Sequence, residues 1–143
     1  MIYTEMTKKA LKLSFEAHKN QTDKSGVPYV FHPFHLAEQM NDEITTCVAL
    51  LHDVVEDTDY TLYDLSSIGF SEEIIEAISL MTHDKNIPYM DYIDQIAKNS
   101  IAKAVKFADL KHNSDLSRLN VVTEKDIMCV EEYKKAMELL GRV

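Results

Sequence analysis

The chain has 143 residues, of which 45% are hydrophobic and 27% are charged. This length suits one domain with its own core, and the composition excludes global disorder. With only 3 glycines and 3 prolines, the sequence has few turn residues, which disfavours a many-stranded sandwich or barrel and favours a helical fold. The net charge of −9 is opposite to that of a typical nonspecific nucleic-acid binder.

Cysteine usage and hydropathy indicate the compartment. Cys47 and Cys129 do not form a CxxC pair, and a chain able to build its own core does not need a disulfide. The first residues have no apolar stretch typical of a signal peptide, and no apolar run approaches the roughly 20 residues of a membrane span. We therefore expect a cytoplasmic monomer or homodimer with neither a membrane nor a nucleic acid as its partner.

Apolar residues at helical spacing predict three helices in the first part of the chain. The first is predicted over 4–19 and is followed by a polar segment that contains glycine and proline. A short second helix is predicted over 33–41, with Pro33 in its first turn. The third is predicted from an N-cap at Asp42 to about residue 55. It is apolar on nearly every side, which is typical of a buried helix.

Capping residues and apolar runs predict further helices later in the chain. The signals are Thr61 with Asp64, Ser71, Pro88, the apolar residues Ile101, Ala104, Val105 and Ala108, Thr123 with Asp126, and Gly141 as the end of the last helix. No segment shows the sustained alternation of a half-buried strand. We therefore expect an all-α fold, a single domain over 1–143 with about six or seven helices.

The predicted third helix carries two pairs of ionisable residues, His52-Asp53 and Glu56-Asp57. Burial of carboxylates is costly unless a cation compensates them, yet 25–84 holds twelve acidic residues and no Lys or Arg. Residues four apart share a helix face, so the two pairs can line one edge. A histidine and a carboxylate there can hold a divalent ion, and the following acids can orient or deprotonate a water. The alternative is a satisfied core histidine beside an exposed acidic helix end.

Two other segments hold candidate ligands. Asp109 is a lone acid in an apolar helical run. It either binds a metal, forms a salt bridge with Lys106, or makes a side-chain contact across the surface. Asn113, four residues later, shares a face with Asp109 and can hydrogen-bond there. His32 precedes Pro33, which fixes the direction of the chain and could aim the imidazole inward. Its alternative is an ordinary loop histidine.

The order of these residues resembles the HD superfamily of metal-dependent phosphohydrolases. The resemblance is closest to the hydrolase domain of the RelA/SpoT-type alarmone enzymes and to their small stand-alone relatives. The segments that carry it are 18–21, 24–29 (KSGVPY), His32-Pro33, 49–58 (ALLHDVVEDT), 106–109 (KFAD) and His112-Asn113. The HDxxEDT segment together with the upstream KSGxPYxxHP segment is a specific signal, unlike a lone HD dipeptide.

The resemblance implies a role for each matching position. One divalent ion would be held by His32, His52, Asp53 and Asp109. Mn²⁺ is typical of this branch, and Fe²⁺, Co²⁺, Mg²⁺ and Zn²⁺ are alternatives. The attacking water would be placed and activated by Glu56 and Asp57, and the nucleotide and its phosphates would be contacted by Lys24, Ser25 and Asn113. The implied reaction removes the 3′-pyrophosphate from guanosine tetra- or pentaphosphate, a small phosphorylated nucleotide.

Two positions depart from the pattern of this branch. The residue before the lysine is usually an Arg that packs on guanine, and here it is Asp23; a Thr that usually lies three residues after the asparagine is Leu116. An acid at position 23 removes a cation and a stacking plane. Three alternatives therefore stay open: an HD phosphohydrolase for another nucleotide or phosphoester, a non-catalytic HD module that binds a ligand, and a purely structural helical bundle.

Overall fold

The structure, a computed structural model, describes residues 1–141 and is built from helices. In chain order these are α1 (Glu5–His18), α2 (Phe31–Glu38), α3 (Glu43–Leu51), α4 (Val54–Asp57), α5 (Leu62–Ile68), α6 (Glu72–Met81), α7 (Tyr89–Ala97), α8 (Ser100–Asn113) and α9 (Glu124–Gly141), with a 3₁₀ turn at Leu116–Arg118. Within these residues the β structure is a single isolated bridge between Thr22 and Pro28. The all-α prediction is confirmed.

The described residues hold more helices than predicted, and one of the additional helices arises because the predicted third helix is divided. α3 ends at Leu51, α4 begins at Val54, and His52 and Asp53 form the turn between them. Both keep right-handed dihedral angles, but ψ of Asp53 is −4°, which tightens the chain at this point. The apolar pattern continues through the turn, and the segment contains neither glycine nor proline, so the sequence gives no sign of the break. The described residues hold nine α-helices, more than the predicted six or seven.

The second helix begins two residues earlier than predicted, at Phe31 rather than Pro33. Pro33 still lies in the first turn, where backbone N–H groups have no partner within the helix, so its missing N–H costs nothing. The shift places His32 in the first turn of α2, where it is buried. The alternative of an ordinary loop histidine is therefore wrong.

Several predicted helix ends are confirmed, and two details are wrong. Thr61 with Asp64 forms a reciprocal capping box, and Thr123 exchanges hydrogen bonds with Asp126 at the start of α9. Ser71 precedes α6, but its buried hydroxyl makes no capping hydrogen bond. Ala104 is exposed, because α8 buries the face that carries Ala102, Val105 and Ala108 instead. Whether the last helix ends at Gly141, as predicted, depends on residues 142–143, which lie outside the described part of the chain.

α3 is the centre of the core, as its apolar sequence predicts. Residues 47–51 are all essentially inaccessible to solvent, and α1, α2, α6 and α8 pack around this helix. The end of α3 therefore projects His52 into the space between α2 and α8. No helix in residues 1–141 combines the length and the apolar character needed to cross a membrane.

Candidate active site

Three buried side chains from separate parts of the chain meet beside α3: His32 from α2, His52 after α3, and Asp109 from α8. We call them the His/Asp cluster. One potential ligand atom from each lies within 4.8 Å of the other two. Asp109 Oδ1 is 2.8 Å from His32 Nε2 and 3.6 Å from His52 Nε2. Two imidazole nitrogens and a carboxylate oxygen at these separations can share one divalent cation.

His52 shows why a cation fits this site. Its Nδ1 lies 2.7 Å from the Ala49 carbonyl, to which it donates, so the neutral ring carries its lone pair on Nε2. That buried Nε2 faces Asp53 Oδ2 at 3.0 Å and Asp109 Oδ1 at 3.6 Å, and it makes no hydrogen bond within the described chain. Burial alone would lower the pKa of His52, but the two carboxylates raise it well above its usual value. The site therefore favours a positive charge at Nε2, whether a proton or a metal ion.

Asp53, the fourth predicted ligand, lies beside the cluster without being one of its three members. Its Oδ2 accepts a hydrogen bond from the hydroxyl of Tyr29 as well as facing His52. Burial and the neighbouring Asp53 raise the pKa of Tyr29, so the phenol keeps its proton and remains a donor. Tyr29 stands in the KSGVPY segment, but sequence reasoning gave it no role.

Asp109 forms the predicted salt bridge with Lys106, and one of its oxygens remains directed at the two histidines. Its Oδ2 forms a salt bridge of 2.9 Å with Lys106, while its Oδ1 faces the two histidines and accepts from the Asn113 amide at 3.1 Å. Burial would raise the pKa of Asp109, but Lys106 and the histidines hold it well below its usual value. The carboxylate is therefore ionised at neutral pH and can offer Oδ1 to a metal while Oδ2 stays paired.

The second ring nitrogen of His32 also has a close neighbour. His32 Nδ1 lies 2.7 Å from Nδ1 of His112, one turn of α8 beyond Asp109. Burial and the positive charge of Arg118 lower the pKa of His112 to about 4, so this imidazole is neutral. Sequence reasoning noted His112 as a match to the family but missed this contact, which joins residues 80 positions apart.

The predicted catalytic acids lie on α4, directly after His52 and Asp53. Both Glu56 and Asp57 are exposed, and Glu56 accepts a hydrogen bond of 3.2 Å from the backbone N–H of His83. Partial desolvation, and next the charge of Asp53, raise the pKa of each. The predicted repulsion between Glu56 and Asp57 acts in the same direction but contributes less to Glu56 than Asp53 does. Carboxylates with raised pKa values are suited to accept a proton from water.

A cavity of about 380 Å³ opens beside His32, and we call it the α9 cavity because α9 forms one wall. Its lining includes Lys24, Tyr29 and Asn113. Lys24 is largely exposed and pairs with Asp126 at 3.0 Å. Ser25 is not among the lining residues, since its hydroxyl donates to the Arg118 carbonyl at 2.7 Å. The structure thus brings two of the three predicted substrate residues to this cavity.

Asp23, the acid at the expected arginine position, has a local structural role. Its Oδ1 accepts from the backbone N–H groups of Ser25 at 2.8 Å and Val27 at 3.0 Å, which closes a turn with Gly26 at a φ of +80°. Gly26 suits that left-handed conformation because it has no Cβ. Arg118, which sequence reasoning missed, lies 4.0 Å from Asp23 and lines the same cavity. The cavity therefore contains a guanidinium group, but it comes from residue 118 and not from the position before Lys24.

The curated proteins and solved structures that resemble this chain include guanosine-3′,5′-bis(diphosphate) 3′-pyrophosphohydrolases. No protein-family model matches the chain. It is similar to a probable guanosine-3′,5′-bis(diphosphate) 3′-pyrophosphohydrolase of Mycoplasma genitalium, 40% identical over 86 residues, which are 57% of this chain and 12% of that protein. It is also similar to the guanosine-3′,5′-bis(diphosphate) 3′-pyrophosphohydrolase MESH1 of Danio rerio, 34% identical over 129 residues, which are 80% of this chain and 71% of that protein.

MESH1 of Mus musculus is 38% identical over 120 residues, 73% of this chain and 66% of that protein. A solved structure, reported for a metazoan ortholog of SpoT that hydrolyses ppGpp, matches with a TM-score of 0.80 and 26% identity. The match covers 98% of this chain and 88% of the other. The chain thus spans a small part of the bacterial relative and about two thirds of the mouse relative.

Proposed function

Because this chain belongs to the family of guanosine-3′,5′-bis(diphosphate) 3′-pyrophosphohydrolases that includes the MESH1 enzymes, we propose that it hydrolyses guanosine tetra- or pentaphosphate and releases the 3′-pyrophosphate. It would act in the cytoplasm on this small nucleotide, as a single phosphohydrolase domain. The observation that carries the proposal is the buried Nε2 of His52, which faces two carboxylates without a hydrogen bond. A divalent cation satisfies that atom and both acids together.

The proposed ligands of one ion are His32, His52, Asp53 and Asp109. Two imidazoles with carboxylates suit Mn²⁺ or Fe²⁺, and the set lacks the thiolates that are usual in structural zinc sites. We take Mn²⁺ as the ion to test first. When bound, the cation supplies positive charge that polarises a phosphoryl group and lowers the pKa of an adjacent water.

The other side chains would bind the substrate and move a proton. Glu56 and Asp57, with their raised pKa values, would orient the attacking water and accept its proton. Lys24 and Asn113 line the α9 cavity and would contact the nucleotide and its phosphates. Ser25 would contribute through the loop that carries Lys24, because its hydroxyl is turned towards the Arg118 carbonyl.

A second candidate function is hydrolysis of another nucleotide or phosphoester by the same centre. It is favoured by Asp23 and Leu116, both of which line the α9 cavity where the family pattern has an arginine and a threonine. The residues at these two cavity positions therefore differ in charge and shape from those of the family pattern, whereas the residues of the His/Asp cluster match it. The substrate is therefore the part of the proposal that an assay decides.

The assay uses the full chain, purified free of metal and reloaded with Mn²⁺. It is incubated with guanosine tetraphosphate and, separately, with a panel of other nucleotides, and pyrophosphate and phosphate are measured. Pyrophosphate from guanosine tetraphosphate alone supports the proposed function. Turnover of another panel member supports the second candidate. If Mn²⁺ binds and no substrate turns over, the chain is not the hydrolase proposed, and a ligand-binding module is favoured.

Two substitutions test the proposed catalytic roles of Glu56 and Asp57. Glu56→Gln and Asp57→Asn keep the shape of each side chain but remove the group that accepts the proton, so each should lower kcat by roughly 10²- to 10⁴-fold. The matched control is Asp59→Asn, the same change at an exposed acid two residues beyond Asp57. Turnover that persists in the double variant, at the rate of the control, would contradict the roles of Glu56 and Asp57.

A further inference from the structure

The two histidines of the His/Asp cluster are oriented in different ways. His52 donates from Nδ1 to the Ala49 carbonyl, a backbone acceptor within its own turn. His32 Nδ1 instead lies 2.7 Å from His112 Nδ1. A histidine that binds a metal nearly always donates its other ring N–H to an acceptor, usually a carbonyl, a carboxylate or water. An imidazole in that place is unusual, and unlike a backbone carbonyl it can be changed by mutation.

The geometry of the pair is that of a hydrogen bond in the ring plane. The ring planes of His32 and His112 are parallel within 5°, and their centroids are 5.0 Å apart. Stacked rings would be separated by about 3.5 Å, the usual contact distance of carbon atoms, whereas here two nitrogens approach to 2.7 Å. The rings therefore meet edge to edge, with each Nδ1 directed at the other.

Only one proton fits between these two nitrogens. Whether it is bonded to His32 or to His112 depends on what His32 Nε2 binds. If Nε2 carries a proton, it donates to Asp109 Oδ1 at 2.8 Å, and Nδ1 accepts from His112. If Nε2 offers its lone pair to a cation, Nδ1 of the neutral ring must carry the proton and donate to His112. Metal binding therefore selects the tautomer in which His112 is the acceptor.

We propose that His112 is a positioning residue of the metal centre, whose Nδ1 accepts the hydrogen bond from His32 and so holds that ligand in the tautomer and orientation that present Nε2 to the ion. This inference rests on the proposed function, because it takes His32 as a metal ligand. His112 itself does not contact the ion; it acts through His32.

Arg118 and His35 also contact His112. Arg118 donates from Nη1 to the His112 carbonyl at 3.0 Å, which fixes the backbone at this end of α8. The exposed ring of His35 lies against the imidazole, with centroids 4.2 Å apart. His35, on the same helix as His32, contacts His112 without a hydrogen bond to His32, so it is a suitable site for a control substitution.

The test measures affinity for Co²⁺, a spectroscopic probe of the site, in the metal-free full chain. His112→Phe keeps an aromatic ring but removes the acceptor, and His112→Asn places an amide oxygen near the position of Nδ1. We expect His112→Phe to weaken Co²⁺ binding by about 10- to 100-fold and to change its visible spectrum. His112→Asn and the control His35→Phe should bind within a few-fold of wild type. Melting of the metal-free proteins should not follow this order.

A second measurement uses the unaltered chain and so does not depend on the folding of a variant. Nitrogen NMR of the imidazoles, with Zn²⁺ as a diamagnetic probe, reports which ring nitrogen carries the proton. We expect Zn²⁺ to leave His32 protonated at Nδ1 and His112 protonated at Nε2.

The outcomes separate this inference from the proposed function. If His112 carries its proton on Nδ1 in the Zn²⁺-loaded protein, or if a folded His112→Phe binds Co²⁺ as wild type does, the positioning role is wrong while the metal centre stands. If the unaltered chain does not bind Co²⁺, or if binding survives His52→Ala, the metal centre itself is wrong, and the role of His112 falls with it.

Discussion

The His/Asp cluster and the α9 cavity adjoin at His32, but their side chains are held in different ways. In the cluster every ionised group is buried and has several partners. Asp109, for example, contacts His32, Lys106 and Asn113. In the cavity Lys24 is 71% exposed and has one partner, Asp126. The buried groups cannot be changed without a cost to folding, whereas the exposed ones can. Asp23, which departs from the family pattern, lines the cavity and is not part of the cluster.

The strongest test of this contrast removes the charge of Asp109. In Asp109→Asn the ammonium of Lys106, whose side chain is only 13% exposed, loses its carboxylate partner. This should lower the free energy of unfolding by about 3–5 kcal/mol. Metal binding should be lost as well. Urea unfolding of the metal-free protein measures the first effect, and Co²⁺ titration measures the second.

A double variant separates the two roles of Asp109. Adding Lys106→Met removes the uncompensated charge and replaces it with an apolar chain, which should recover much of the stability but none of the metal affinity. If the double variant regained Co²⁺ binding, the Asp109 carboxylate would be a structural partner of Lys106 and not a ligand.

A smaller effect is expected at the boundary of the two regions, where Tyr29 donates to Asp53. Tyr29→Phe removes a hydrogen bond to a charged acceptor, and such bonds contribute about 1.5–3 kcal/mol to stability. Thermal unfolding of the metal-free protein measures the loss. The control is Tyr63→Phe, because Tyr63 is 79% exposed and should tolerate the change. Equal melting temperatures for the two variants would show that the phenol does not stabilise Asp53.

Removing the charge of Glu56 should raise the stability of the fold, whereas the substitutions of Asp109 and Tyr29 should lower it. The pKa of Glu56 is raised in the fold, chiefly by partial desolvation, so the ionised carboxylate is less favourable in the folded than in the unfolded chain. This penalty is absent at low pH and develops as the pH rises through the unfolded and then the folded pKa. At neutral pH Glu56→Gln should therefore raise the melting temperature slightly while lowering kcat by roughly 10²- to 10⁴-fold, a known compromise at active sites. The effect should vanish at pH 3, and a lowered melting temperature at pH 7 would contradict this account.

The sequence predicted which residues form the site better than it predicted how they are held. The motifs around His32, His52 and Asp109 led, through their resemblance to the HD family, to the prediction that these residues and Asp53 hold one ion. The structure brings the first three together, and MESH1 and the SpoT ortholog confirm the family resemblance. The turn at His52 and Asp53 was not predictable, because apolar periodicity reports burial and not the continuity of a helix.

Contacts between distant segments were the other part that the sequence did not reveal. His112 and His32 are 80 positions apart, and only the packing of α8 on α2 brings their rings into one plane. Arg118 reaches the α9 cavity because the chain turns back after α8, which no local pattern indicates. Sequence motifs therefore indicate candidate ligands, while contacts such as those of His112 and Arg118 depend on tertiary packing.

The last prediction concerns the exposed side of the comparison, where stability should not change. The ammonium of Lys24 is 71% exposed, and Asp126, although only 9% exposed, keeps its hydrogen bonds from Thr123 when Lys24 is removed. Lys24→Ala should therefore leave the melting temperature nearly unaltered and the Co²⁺ affinity unchanged. Its ammonium lines the α9 cavity, and loss of one contact to a phosphate should raise KM by about fivefold with kcat unchanged. Steady-state kinetics with the substrate that the assay identifies measure both constants, with Lys125→Ala on the exposed surface of α9 as the control. A fall in kcat at constant KM would place Lys24 at the reacting phosphoryl group instead. Lys24 would then belong to the catalytic centre and not to an exposed surface that recognises the substrate.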